Sequence, residues 1–184
     1  PAEGFRMSLH FTKMHGLGND YVFVSLFDQT VDDPAALARA VSDRHRGVGS
    51  DGLILVAPPA DADAHVRMIM YNADGSRAQM CGNGIRCVAK LAYEHGLARA
   101  NPLRVQTDRG VLTLDLLFDR QERVSEVRVD MGEPVLEGRK IPVDADGEIK
   151  NRPLTVQGKT YEITCVSMGN PHSVIFLDDI DSLD

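Results

Sequence analysis

The apolar spacing of this chain changes at Cys81, where Ile85, Val88, Ala89 and Ala92 fall at i, i+3, i+4 and i+7, the stripe of an amphipathic helix that closes at Gly96. Segments on both sides keep strand character. Before the helix come the alternating Leu9, Phe11 and Lys13, the apolar run from Tyr21 to Phe27, then Leu53 to Val56 and His65 to Tyr71. After it, Leu103 to Thr107, Gly110 to Leu117 and Val124 to Asp130 follow one another as an antiparallel meander, and Tyr161 to Ser167 is a further strand. A second, shorter helix is predicted from Asp33 to about Arg44, because Asp33 can cap free amides, Pro34 suits the first helical position, and Leu37 and Val41 lie four apart. The pattern is that of an α/β chain of the α+β type.

Composition narrows the function classes. At 43% hydrophobic and 26% charged residues over 184 positions, the chain is globular, with length for one large domain or two small ones, and disorder, collagen and coiled coil are excluded. Its 20 basic against 27 acidic residues are scattered, so no basic face for nucleic acid is expected. No apolar run approaches the roughly 20 residues of a membrane helix, and no signal peptide is evident. Three cysteines cannot make a dense disulfide framework, which points to a reducing cytoplasm. Residues 1–6 are set aside as an upstream remnant. A domain boundary is expected near Arg120 to Arg123, giving a first domain over 7–123 and the opening part of a second over 124–184. The acidic stretch after Leu177 carries no stop signal and reads as leading into a further element.

The chemistry concentrates in glycine-rich turns. Cys81 precedes Gly82-Asn83-Gly84 at the start of the predicted helix, where unpaired amides and about half a positive charge favour a carboxylate or thiolate. Gly82 and Gly84 are expected to let a ligand approach the backbone. A free thiol is only about 3% ionised at neutral pH, so lowering its pKa by roughly one to two units would make it a competent base. Cysteine is equally a common small core residue, and local chemistry alone leaves both roles open for Cys81. Cys87 lies inside the helix and Cys165 alternates with Ile163 in a strand, so both read as packing. Their spacing fits neither a zinc site nor a dithiol, and no metal is expected. Asn19 and Asn72 read first as turn residues, and His172, after Pro171, as a loop or packing histidine. Gly47-Val48-Gly49 lacks the third glycine of a dinucleotide loop and the Lys-Ser/Thr of a phosphate loop. One internal echo is present: Met14 leads to Gly18-Asn19-Asp20 and Met168 to Gly169-Asn170-Pro171-His172.

Four stretches together resemble the diaminopimelate epimerase family. They are Phe11 to Tyr21; Asp43-Arg44 with Gly47 to Gly52; Asn72 to Ser76 with Cys81 to Cys87; and Val166 to His172. The resemblance runs in order from about Met7 to the end of the chain. It implies a cofactor-independent enzyme that interconverts LL- and meso-diaminopimelate, on the route to lysine and cell-wall peptide, without pyridoxal phosphate or metal. It implies two similar domains, each a curved, mostly antiparallel sheet around a central helix, with one cysteine from each facing the substrate α-carbon in the cleft between them. By resemblance, Cys81 is the first-domain thiol, His172 a supporting catalytic residue, and Asn19, Asn72, Gly82, Asn83 and Asn170 bind the amino-acid substrate. The sequence departs from the family at Gly52, where some members have Gln, and in lacking the family's second Ala-Cys-Gly-Thr-Gly motif. Since inversion needs a base on one face and an acid on the other, a chain with one such thiol is expected to be inactive alone. Association with a missing C-terminal segment or with another copy is expected. The competing readings are another amino-acid racemase or isomerase of the same superfamily and a catalytically silent amino-acid-binding module.

Overall fold

The computed structural model describes residues 8–181, so the segment 1–6 set aside above lies outside them. The chain divides into two compact units after Asp130. The first contains, in chain order, β1 (Thr12–Gly16), β2 (Asn19–Ser25), α1 (Pro34–Ser42), β3 (Gly52–Ala57), β4 (Val66–Asn72), β5 (Arg77–Ala78), α2 (Gly82–Glu94), β6 (Leu103–Thr107), β7 (Gly110–Phe118) and β8 (Val124–Val129). Its sheet runs β1-β2-β3-β4-β6-β7-β8, with β5 paired to β4. Only the β2–β3 and β4–β6 pairings are parallel. Each of these steps is a crossover carried by a helix, α1 for the first and α2 for the second, because a parallel neighbour cannot be reached by a tight turn.

The helices occupy opposite faces. Tyr21 and Phe23, Ile54 and Val56, and Met68 and Met70 share the core with Ile85, Val88, Ala89 and Ala92 of α2, so the helical spacing at Cys81 marks the buried stripe. Their alternates Val22, Val24, Leu53 and Leu55 pack with Ala38, Leu37 and Val41 of α1. β3 is therefore buried at every position, as a strand covered on both faces must be. Both terminal strands of the order, β1 and β8, contact α2, so the sheet curls round that helix. The expected mixed, mostly antiparallel, curved sheet around a central helix is present in this unit.

The ends of the helices follow their caps. Asp33 Oδ1 accepts the Ala36 N–H at 2.9 Å. α1 stops at Ser42, short of the expected Arg44, because the loop that follows turns back over its end: the N–H groups of Gly47, Gly49 and Ser50 donate to the carbonyls of Asp43, Val41 and Ser42. α2 closes where Gly96 takes φ 71° and the Leu97 N–H reaches the Ala92 carbonyl at 2.9 Å.

The domain boundary expected at 120–123 is corrected. Those residues form the turn of the β7–β8 hairpin, with the Asp119 N–H on the Arg123 carbonyl at 2.9 Å. β8 pairs with β7 and adds Val124, Val127 and Val129 to the α2 core, so the first unit extends to Asp130. A polar hairpin turn and a polar linker look alike in one sequence. The break falls between Asp130 and Met131, just ahead of the Gly132-Glu133-Pro134 stretch.

The second unit holds β9 (Arg152–Val156), β10 (Lys159–Ser167) and β11 (Pro171–Ile175) in the antiparallel order β11-β10-β9, preceded by a 3-10 turn at Gly138–Lys140. Its small core is Ile141, Ile149 and Cys165, with Val135, Val143, Ala145 and Ile163 against it. β9 and β11 escaped the sequence reading because β9 is exposed throughout, leaving no alternation to read, and both contain proline, which sheets admit at edges. The two echoed Gly-Asn stretches are both hairpin turns. The first turns on Leu17 and Gly18, at φ 54° and 84°, the backbone of a type I′ turn. The second needs 168–170, with Gly169 at φ 113°.

Candidate active site

Cys81 is the N-cap residue of α2, and its side chain accepts the Gly84 N–H at 3.4 Å. The turn can lie this close to the sheet because position 84 is glycine: a Cβ there would stand 2.6 Å from Ile54 Cδ1. This corrects the expectation that Gly84 opens the backbone to a ligand, since it faces the core and its N–H already serves the thiol. Arg86, one turn on, donates to the Gly82 carbonyl at 3.0 Å and to Asn83 Oδ1 at 2.5 Å, which fixes the outer side of the turn. The Gly82 and Asn83 N–H groups remain as helix-start donors, which have no acceptor within the helix.

Two side chains of β2 and its hairpin reach the sulfur. Tyr21 Oη donates to Cys81 Sγ at 3.6 Å, and Sγ donates to Asn19 Oδ1 at 3.4 Å. Behind Asn19 stands Asp51, whose Oδ2 accepts Asn19 Nδ2 at 2.6 Å and the Asp20 N–H at 3.0 Å. Arg44 spans the two carboxylates, reaching Asp20 Oδ1 at 2.7 Å and Asp51 Oδ1 at 2.9 Å. Lys13 pairs with Asp20 at 2.9 Å and also donates to the Gly49 carbonyl. Hydrogen bonds from Arg44 and then Lys13 hold the Asp20 carboxyl far below the usual carboxylate range, outweighing its partial desolvation. Burial, followed by the neighbouring Cys81, pushes the Tyr21 hydroxyl far above its ordinary value, so it stays a neutral donor.

Asn19, Cys81, Gly82 and Asn83 are thus gathered at one end of the first unit. Asn72 ends β4, where its Nδ2 donates to Ser76 Oγ at 2.9 Å and its N–H to the Ser76 carbonyl at 2.8 Å, so it closes its own turn. The next residue, Ala73, donates to the Asp51 carbonyl at 3.1 Å, which ties that turn to the Asp51 loop. Asn170 and His172 belong to the second unit. Asn170 is in the β10–β11 turn, while His172 lies in β11 opposite Val166 and is exposed, so it is neither the loop nor the packing histidine expected.

Tyr21, Asp51, Arg44, Lys13 and Arg86 were not among the residues singled out from the sequence. Tyr21 sits inside an apolar run and reads as core. The strand alternation that points it toward α2 becomes decisive only once α2 is known to cover that face. Asp51 and Arg44 were visible as members of the Asp43 to Gly52 loop, but nothing local assigns them a partner 31 or 24 residues earlier.

The three thiols are free and differently placed, with Cys81 partly exposed and Cys87 and Cys165 buried. Burial raises the Cys87 thiol above its ordinary value. Alkylation by iodoacetamide at neutral pH, resolved by peptide mass spectrometry, is expected to label Cys81 first by at least about tenfold, since both thiolate fraction and access control the rate. Earlier labelling of Cys87 or Cys165 in the folded chain removes Cys81 as the reactive thiol.

Comparison with known proteins identifies the family and the fold. The sequence model of the diaminopimelate epimerase family matches residues 11–137, which contain every element from β1 to β8. Curated diaminopimelate epimerases from Acetivibrio thermocellus and Desulfovibrio desulfuricans are 48% and 51% identical over 94% and 97% of this chain. The chain spans about three fifths of their length, 61% and 63% respectively. Among solved structures, a probable proline racemase from Agrobacterium radiobacter superposes with a TM-score of 0.66 at 15% identity, over 91% of this chain and 52% of its own. A hydroxyproline epimerase from Agrobacterium vitis gives 0.65 at 14% identity, over 90% and 50%. Those structural likenesses show the fold. With the family model covering the whole curled sheet and the cysteine that caps its central helix, the chain belongs to the diaminopimelate epimerase family.

Proposed function

We propose that this chain supplies the first thiol of an enzyme that interconverts LL- and meso-diaminopimelate by proton transfer at the α-carbon, without a cofactor. The observation that carries the reading is the setting of Cys81 Sγ: on the first turn of α2, partly exposed, and in hydrogen-bond contact with Tyr21, Asn19 and Gly84. As base, the sulfur takes the α-proton and becomes S–H while the C–H electron pair passes into the substrate carboxylate. As acid it returns that proton. The growing carboxylate charge needs donors already in place, and the Gly82 and Asn83 amides are such donors. In this reading Asn72, Asn170 and His172 keep the roles that family resemblance gives them, Asn72 and Asn170 toward substrate and His172 in support. Inversion further requires an acid on the opposite face of the carbon, which a second activated thiol outside this sequence provides.

Among the described residues no helix is long and apolar enough to cross a membrane. Free thiols and a small polar substrate fit a cytoplasmic enzyme, and association with a segment carrying the second thiol, or with a second copy, fits the absence of that thiol here. The test is to incubate LL-diaminopimelate in deuterated buffer with a form extended to include a second Cys-Gly-Thr-Gly segment. Formation of the meso isomer with deuterium at the inverted carbon is expected. Turnover of a different amino acid in place of diaminopimelate moves the chain to another branch of the superfamily, and binding without exchange makes it a silent binding module.

A further inference from the structure

The loop between α1 and β3 reaches the thiol through a single side chain. Asp51 Oδ2 lies 2.6 Å from Asn19 Nδ2, and Asn19 Oδ1 lies 3.4 Å from Cys81 Sγ. Resting on the reading of Cys81 as a proton-transferring thiol, we infer that Asp51 is a positioning residue: it fixes the orientation of the Asn19 amide, so that an acceptor oxygen and not an N–H faces the sulfur.

An ionised carboxylate only accepts hydrogen bonds, so the side of Asn19 that meets Asp51 must be its NH2 group, and the oxygen is left for Cys81. The two bonds are unequal. A short bond to a carboxylate is roughly twice as strong as a neutral one, whereas S–H is a weak donor, so Asp51 and not Cys81 decides which way the amide points. Asp51 is itself held on every side. Arg44 takes Oδ1 at 2.9 Å, the Asp20 N–H takes Oδ2 at 3.0 Å, its own N–H donates to the Asp20 carbonyl at 2.8 Å, and its carbonyl accepts from Ala73 at 3.1 Å. It joins the Asn19 turn, the Asn72 turn and the α1 loop, and is therefore a fixed point for the site.

An amide oxygen facing the sulfur favours S–H over S⁻, and an amide N–H there favours the reverse. A reversible proton transfer needs the sulfur both to give and to take a proton, and the Asp51–Asn19 pair keeps an acceptor oxygen beside it. The titratable groups around the sulfur are Tyr21 from β2, Cys87 from α2 and, behind Asn19, Asp51 with Asp20, Arg44 and Lys13. Of these, Asp51 accepts from the Asn19 amide at 2.6 Å, and Tyr21 also stands in hydrogen-bond contact with Asn19.

Two substitutions separate orientation from charge. Asp51→Asn removes the charge but retains an oxygen that accepts from Asn19, and Asp51→Ala removes both. The pH–rate profile of Cys81 alkylation in the intact chain is expected to move about one unit lower in Asp51→Ala and to stay close to the parent in Asp51→Asn. A one-unit move multiplies the thiolate about tenfold below the midpoint and, with nucleophilicity falling at a Brønsted slope of about 0.5, the rate about threefold. In an Asn19→Ala background the Asp51→Ala effect should vanish, since the coupling runs through Asn19. An unmoved profile in Asp51→Ala overturns the proposal. So does an equal move in Asp51→Asn, which would make the effect one of charge, and so does persistence of the effect without Asn19.

A measurement on the unmutated chain applies even where Asp51→Ala does not fold. The Asn19 Nδ2 protons should cross-relax with the Asp20 amide proton, because both bond to one Asp51 oxygen. Cross-relaxation with the Cys81 β-protons alone would overturn the orientation. None of these readouts uses substrate, so the proposal can fail while the epimerase reading stands, and the reverse.

Discussion

Purified as the 184-residue chain, this protein is expected to leave LL-diaminopimelate without inversion at the α-carbon, even when folded. The reason is stereochemical. A thiol on one face of a carbon can remove a proton and give it back on the same face, which exchanges hydrogen with solvent but retains configuration. Cys87 and Cys165 are buried in separate cores, one on the inner face of α2 and the other with Ile141 and Ile149, and neither caps a helix as Cys81 does. Extending the chain to include a downstream Cys-Gly-Thr-Gly segment should restore epimerisation. In that form Cys81→Ala should lower turnover by at least about a thousandfold, within the range contributed by a positioned acid–base group. The measurement is optical rotation with LL-diaminopimelate run beside solvent-deuterium incorporation. Epimerisation by the 184-residue chain, with its intact mass verified, overturns the two-thiol account and moves the second acid to His15, His172 or Cys165.

The largest effect on stability is expected from Gly47→Ala. A Cβ at this position would lie 2.2 Å from the Ala40 carbonyl oxygen, 2.9 Å from that of Val41 and 3.0 Å from that of Asp43. All three are backbone atoms at the end of α1, so no side-chain rotation relieves the overlap, and the loop must lift off the helix it caps. Forced overpacking typically costs about 1–3 kcal/mol, and an overlap with three backbone oxygens belongs at the upper end of that range. For a unit of this size that corresponds to a fall of roughly 10–15 °C in Tm. The lifted loop carries Arg44 and Asp51, so the alkylation profile of Cys81 should shift together with the loss of stability. By contrast Asp33→Ala, which removes only the α1 cap, should cost about 1 kcal/mol and leave the thiol unaffected. Thermal unfolding followed by circular dichroism distinguishes the two, and equal stability of Gly47→Ala and the parent would show that the loop does not pack on α1 as described.

Much of the first unit was legible in the sequence because its signals are local. The α2 stripe, the Asp33-Pro34 start of α1, and the strands at Leu53, Leu103 and Gly110 depend on spacing within one segment, and the tertiary structure only covers faces that the spacing had already made apolar. Cys81 was legible for the same reason, since a helix start exposes its donors whatever surrounds it. Three features were decided by contacts between distant segments. The β8 strand joined the first unit because its valines complete the core around α2, which no property of 120–130 alone reveals. Tyr21 became a partner of the thiol because α2 covers the β2 face on which it alternates. Asp51 became the anchor of Asn19 because a parallel crossover brings the ends of β2 and β3 side by side. The sequence by itself determined which segments are helix or strand and where an activated thiol could stand, because hydrophobic period and helix-end chemistry act within a few residues. Only the tertiary structure decided what surrounds that thiol, because hydrogen bonds between turns 31 and 62 residues apart exist only after the sheet has set its strand order.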